Sequence, residues 1–225
     1  MMNTESTDVV KIKSSEVEVM SSEVEVMSSR GTNQRRRNVN VRRMTIIGVL
    51  SAISIMLSMT PLGFIPIGPV NATIMHIPVI IGAIIEGPVV GMSIGFIFGA
   101  TSLFRALTMP TITSFAFINP LVSILPRVLI GLVAYYVYKL AVRITKNYFV
   151  SGWVVGAIGS LVNTIGVLGM IYVLYGARYA EVLGESAATA KTLLFTLATT
   201  SGIPEAIVGG FVVSAVVVIL NKRKK

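Results

Sequence analysis

From residue 44 onward the chain is a series of long apolar runs separated by short breaks, and few of them show a polar face at helical spacing. A segment that is apolar on every side belongs in lipid or in a core, whereas a surface helix shows one polar stripe. Six helical spans are expected, at about 44–59, 73–86, 88–105, 115–138, 149–175 and 191–220. Several are short or interrupted by Pro and Gly. The predicted fold class is an all-α integral membrane protein of six transmembrane helices.

The first 43 residues read differently. They are polar, and Ser14-Ser-Glu-Val-Glu-Val-Met20 is repeated as Ser21 to Met27. The repeat alternates like a strand but has few large apolar groups, so a disordered cytoplasmic extension is expected. No apolar core follows a charged start within the first thirty residues, so no signal peptide is expected. The predicted domains are 1–43 as extension, 44–221 as the membrane domain and 222–225 as a basic tail.

Charge fixes the orientation. The chain is 53% hydrophobic and 13% charged, against about a quarter charged in a soluble protein, and its net charge is +9. All but four of the ten acidic residues precede Met44; the exceptions are Glu86, Glu181, Glu185 and Glu205. All but four of the 19 basic residues fall in the N-terminal segment, between spans four and five, or in the tail; the exceptions are Arg105, Arg127, Arg178 and Lys191. Basic residues collect on the cytoplasmic side, so both termini are expected there. Tyr135, Tyr136, Tyr138 and Trp153 then mark the inner boundary, and Tyr172 and Tyr175 the outer one. No basic–aromatic stripe suited to nucleic acid is present.

Two features suggest a pocket. The first outer connection, residues 60–71, is apolar but too rich in Pro and Gly for a helix. Irregular backbone at membrane depth is tolerated only against protein or a cavity, so it reads as a lid. Ionisable and amide groups inside the spans supply the second feature. Arg127 is about twelve residues, roughly 18 Å, into span four. Glu205 is comparably deep in span six and Asn163 in span five, while Asn119 precedes Arg127 by two turns. Asn71, His76 and Arg105 lie near outer helix ends. Together they describe a polar cavity open to the outside. Two readings of Arg127 stand: an ion pair with Glu205, or a cation facing a carboxylate-bearing ligand. For His76 an interface role competes with ligand contact, and for Asn71 a turn role does. Gly87, Gly91, Gly95 and Gly99 share one helix face, as do Gly48 and Ala52, and small faces let helices approach closely.

Other functions lack their residues. No Gly-Lys dipeptide occurs, which removes the phosphate loop of a nucleotide-driven motor. One histidine and no cysteine exclude thiol chemistry and a polyhistidine metal site within the chain, and sparse carboxylates leave few acid–base pairs. Neither catalysis nor a cofactor is expected. A membrane enzyme acting on a lipid and a structural or regulatory subunit are the readings from other classes.

A resemblance sharpens this. Thr60-Pro-Leu-Gly-Phe-Ile-Pro-Ile-Gly-Pro-Val-Asn-Ala-Thr-Ile-Met-His-Ile-Pro-Val-Ile-Ile-Gly-Ala83, Glu86-Gly-Pro-Val-Val-Gly91, Phe98-Gly-Ala-Thr-Ser-Leu-Phe-Arg105 and Phe117-Ile-Asn-Pro-Leu-Val-Ser-Ile-Leu-Pro-Arg127 resemble the substrate-binding S components of energy-coupling factor (ECF) vitamin transporters. The likeness covers about 44–222 and is closest to the pantothenate-binding members. It implies an S-component-like bundle around an outward-facing binding cavity, closed by its first outer loop. It further implies docking on a transmembrane coupling protein and two ATPases. In the family an Ala-x-x-x-Ala face on the first helix makes that contact; Gly48-x-x-x-Ala52 is the nearest match, with Gly in place of the first Ala. For a pantothenate carboxylate the expected contacts are Arg105 and Arg127, with Asn71, His76, Asn119, Asn163 and Glu205 as the remaining site candidates. Riboflavin, cobalamin, folate or a pyrimidine precursor are the alternative cargoes.

Overall fold

The computed structural model describes residues 40–67, 70–110, 113–182, 184 and 186–222, with backbone alone for 62, 64–67, 70–72 and 187. The expected disordered extension therefore lies outside the described residues up to 39, as does the tail at 223–225. By its contacts the chain divides into residues 1–45 and 46–225. The described part of the first unit is the start of helix α1 (Asn40–Met59), where Thr45 Oγ1 donates to Val41 O.

In the second unit α1 ends at a 3-10 turn, Pro61–Gly63, which leads into an antiparallel hairpin of β1 (Phe64–Ile67) and β2 (Val70–Thr73). The register pairs Phe64 with Thr73 and Ile67 with Val70, and Ile74 N donates to Gly63 O at 3.0 Å. A Cβ on Gly63 would stand 2.2 Å from Leu57 O, so only glycine lets the turn fold this tightly against α1. The connection read from sequence as irregular is thus a hairpin that pairs its own backbone.

The hairpin feeds α2 (Ile77–Glu86), which has Pro78 in its first turn. Ten residues rise only about 15 Å, half of a hydrocarbon core of roughly 30 Å. The span expected at 73–86 is therefore a short helix, and beside it five helices among the described residues are long and apolar enough to cross a membrane. The cause is local: Pro78 fits only the first turn of a helix, so α2 cannot begin much earlier. Gly87, at φ 99°, closes α2 in a conformation that favours glycine, and Pro88 opens α3 (Pro88–Thr108).

The fourth span is broken. Its pieces are α4 (Ser114–Phe117), α5 (Pro120–Ser123) and α6 (Leu125–Thr145). Lys146, at φ 51°, ends α6, and α7 (Tyr148–Val182) follows; after a 3-10 turn at Ala187–Thr189 the last helix is α8 (Ala190–Lys222). At 35 and 33 residues, α7 and α8 are about 50 Å long and outreach the hydrocarbon core.

Glycine sets the packing. A Cβ on Gly91 would lie 3.0 Å from Gly131 Cα, one on Gly95 2.2 Å from Arg127 O, and one on Gly99 2.7 Å from Ile124 Cα. The α3 glycines thus form a seam that brings α6 into backbone contact, while Gly87 is the turn before it. Gly152 against Ser214 and Gly156 against Gly209 do the same for α7 and α8. α2 is enclosed among α3, α6, α7 and α8, and its Val79 and Ile80 are fully buried beside Ile94, Ile130, Val155 and Val213. A second cluster, Ala116, Val122, Val167, Ile171, Tyr179 and Leu194, lies toward the other ends of α7 and α8.

Candidate functional site: a polar cavity at the hairpin end

Between the two apolar clusters lies a cavity of about 480 Å³. It is reached from the hairpin end, because the last turns of α1 and α3 (Ser58, Arg105), the end of β2 (Thr73) and Thr113 line it. Of the residues expected at a ligand, Arg105, Arg127, Asn163 and Glu205 share this lining.

Arg127 is held by two consequences of proline. Pro126 has no N–H, so the Val122 carbonyl that it would have engaged is left over, and Arg127 Nη1 donates to it at 2.6 Å. The broken fourth span also puts Arg127 on the first turn of α6 rather than deep in one long helix. Its guanidinium carbon stands 5.6 Å from the Phe98 ring centre and 5.7 Å from that of Phe117. Aromatic faces favour a cation without neutralising it. Nε has no hydrogen-bond partner although the residue is only 6% exposed.

Glu205 follows Pro204 in α8, on the facing wall. Its Oε1 accepts from Thr73 N at 2.8 Å and from the Thr73 hydroxyl, and its Oε2 accepts from Thr164 Oγ1 at 2.8 Å. Among the described residues no ion pair joins it to Arg127, so each charge has separate partners.

Asn163, next to Thr164 on α7, leaves Oδ1 without a partner. An orphaned acceptor and an orphaned donor lining one cavity match a site that completes its hydrogen bonds on a ligand. Arg105 Nη1 donates to Ser58 O at 2.8 Å, one of the carbonyls that the end of α1 leaves free.

Other expected site residues stand elsewhere. His76, 1% exposed at the start of α2, meets Ser160 Oγ at 2.8 Å behind the cavity wall. Since the Ser160 hydroxyl donates to Gly156 O, His76 Nε2 is the donor and Nδ1 is left without a partner. Asn119 caps α5, with Oδ1 accepting from Leu121 N and Nδ2 donating to Tyr175 Oη at 3.2 Å. Asn71 pairs with Pro66 in the hairpin, and its side chain lies outside the described residues. Gly48 and Ala52 share an exposed face of α1, where nothing lies within 4 Å of a Cβ on Gly48.

Sequence reasoning misses Thr73, Thr164, Phe98 and Phe117. It also misses Gly91-Met-Ser93-Ile-Gly95, which has the spacing of a nucleophile elbow. That segment lies within α3, where Ser93 Oγ donates to Val89 O at 2.9 Å, and a straight helix offers no elbow. Among the described residues, no three of His, Cys, Asp and Glu converge as a metal site.

A multi-pass membrane bundle with a polar, ligand-sized cavity near one end is the design of a membrane-embedded binding protein. Residues 42–221 match the family described as ECF transporter, substrate-specific component, and the chain belongs to that family. Pantothenic acid transporter PanT of Lactococcus lactis subsp. cremoris is 31% identical over 170 residues, covering 69% of this chain and 81% of that protein. Pantothenate transporter PanT of Leuconostoc mesenteroides subsp. mesenteroides is 35% identical over 115 residues, 48% of this chain and 56% of that one.

Proposed function

We propose that this chain captures pantothenate from outside the cell and delivers it to a transmembrane coupling protein driven by two ATPases. The observation that carries this reading is Arg127, a buried guanidinium in the cavity wall that is flanked by two aromatic rings and paired with no carboxylate among the described residues. Pantothenate has one carboxylate, one amide and two hydroxyls. Its carboxylate is assigned to Arg127, with Arg105 as a second cation nearer the mouth, and its N–H or O–H groups to Asn163 Oδ1. The cavity volume falls within the ~300–1,000 Å³ usual for small-molecule sites. The names of the two relatives favour the same cargo.

In this reading the protein is a carrier and not a catalyst. It sits in the plasma membrane with both termini cytoplasmic, as the basic residues favour. Residues 1–43 form a cytoplasmic extension, 44–221 the binding domain and 222–225 a basic tail. His76 and Asn119 brace the helices behind the walls, Asn71 is offered by the hairpin, and the exposed Gly48 and Ala52 face of α1 meets the coupling protein. The test is saturable binding of radiolabelled pantothenate to the purified chain, with competition by riboflavin, cobalamin, folate and a pyrimidine precursor. Pantothenate alone competing is the expected result. Tight binding of one of the others, with pantothenate inert, contradicts it.

A further inference from the structure

Every described contact of the Glu205 carboxylate runs into the protein. Thr73 N–H, the Thr73 hydroxyl and the Thr164 hydroxyl are all donors, and no acceptor among the described contacts faces it. That suits an ionised carboxylate, which can only accept, and bonds to such a charge are roughly twice as strong as neutral ones. Thr73 is the last residue of β2 and itself lines the cavity. The three bonds therefore tie the hairpin's return strand to α7 and α8. Just beyond Thr73 the chain is fixed again by Ser54 Oγ on Met75 O at 3.2 Å and by His76 on Ser160, but neither Ser54, His76 nor Ser160 lines the cavity. Of these tethers, only the one on Thr73 closes cavity wall to cavity wall.

We infer that Glu205 is the latch of the hairpin. It is a positioning residue that holds β2 against α8 over the occupied cavity and so sets how fast ligand leaves. The inference rests on the cavity being the ligand site. It also explains why a carboxylate is tolerated opposite Arg127 in a site for an anion: three donors turn its charge into the wall. Thr164 then serves as the fixed post on α7, and Thr73 as the part that moves.

The test uses the full chain in lipid nanodiscs. Thr73→Val keeps the volume and the backbone N–H but loses the hydroxyl. Glu205→Gln keeps the shape but removes the charge and replaces one accepting oxygen with an NH2. Loss of bonds to a charged group predicts release of radiolabelled pantothenate at least about tenfold faster in Glu205→Gln and several-fold faster in Thr73→Val. The double variant should release ligand more slowly than the product of the two single effects predicts, because both changes act on one shared contact. In the ligand-free protein, amide exchange of peptides covering 61–76 should accelerate in both variants while peptides from α3 and α6 exchange as before. This second readout needs no ligand, so it decides on the latch even if pantothenate is the wrong cargo. Unchanged exchange in both variants overturns the proposal. So does loss of binding in Glu205→Gln with hairpin exchange at the wild-type level, which makes Glu205 a ligand contact. If Glu205→Gln does not fold, hairpin exchange in Thr73→Val decides the matter alone.

Discussion

The two walls of the cavity each carry one buried charge directly after a proline, and they treat it in opposite ways. On the α3–α6 wall, Arg127 keeps an unpartnered Nε and faces aromatic rings. On the α7–α8 wall, Glu205 is surrounded by donors from two threonines. An under-satisfied buried group signals a partner still to come, whereas a satisfied one signals architecture. The contrast assigns recognition of a ligand carboxylate to Arg127 and closure to Glu205, with the unpartnered Asn163 Oδ1 on α7 left to read the ligand's donors. It also accounts for the absence of an ion pair between the two charges: pairing would leave neither job done.

The largest expected effect comes from removing the recognising charge. Arg127→Gln should weaken pantothenate binding by at least roughly 30-fold, since truncating one partner of a buried charge pair costs about 2 kcal/mol or more. Expression should survive, because no carboxylate among the described residues loses its partner. Equilibrium binding on purified variants checks this; a properly folded Arg127→Gln protein with wild-type affinity would break the contrast between the walls.

Glycine substitutions sharpen it next. Gly95→Ala places a methyl 2.2 Å from Arg127 O and must push α6 away from α3. It should cost about 1–3 kcal/mol of stability and also lower ligand affinity, because Arg127 moves with its helix. Gly152→Ala, 2.6 Å from Ser214 Cα at the far end of the α7–α8 seam, should lower the melting temperature by a comparable amount and leave affinity alone. Thermal unfolding and binding measured on both variants separate the two. The smallest effect belongs to Asn119→Ala. Losing a helix cap costs about 1 kcal/mol of stability, and affinity should change far less than in Arg127→Gln.

Much of this is legible in the sequence because hydropathy and glycine spacing are local signals. The long helices lie close to the expected spans, and the α3 glycines sit on a helix interface. Arg127 and Glu205 stand out because charge is rare in lipid. Their partners do not. Thr73 and Thr164 meet Glu205 across 132 and 41 residues of sequence, and a threonine hydroxyl carries no hydropathy signature. The shortness of α2 is signalled by Pro78, but its apolar neighbours mask it in a hydropathy reading. Asn119 reads as a deep polar group, although Asn before Pro is a helix-start signal, and the structure uses it as a cap. The prolines before Arg127 and Glu205 are a further local clue, because a proline in a helix cannot donate to the carbonyl four residues back, and beside Arg127 that carbonyl is taken by the charge.

The central claim is that Arg127 reads a ligand carboxylate, and a cycle of two proteins and two ligands tests it most directly. Wild type and Arg127→Gln are each titrated with pantothenate and with its neutral alcohol analogue, in which CH2OH replaces the carboxylate. Wild type should prefer pantothenate strongly, and Arg127→Gln should lose most of that preference while binding the alcohol about as well as wild type does. An equal preference for pantothenate in both proteins would contradict the account.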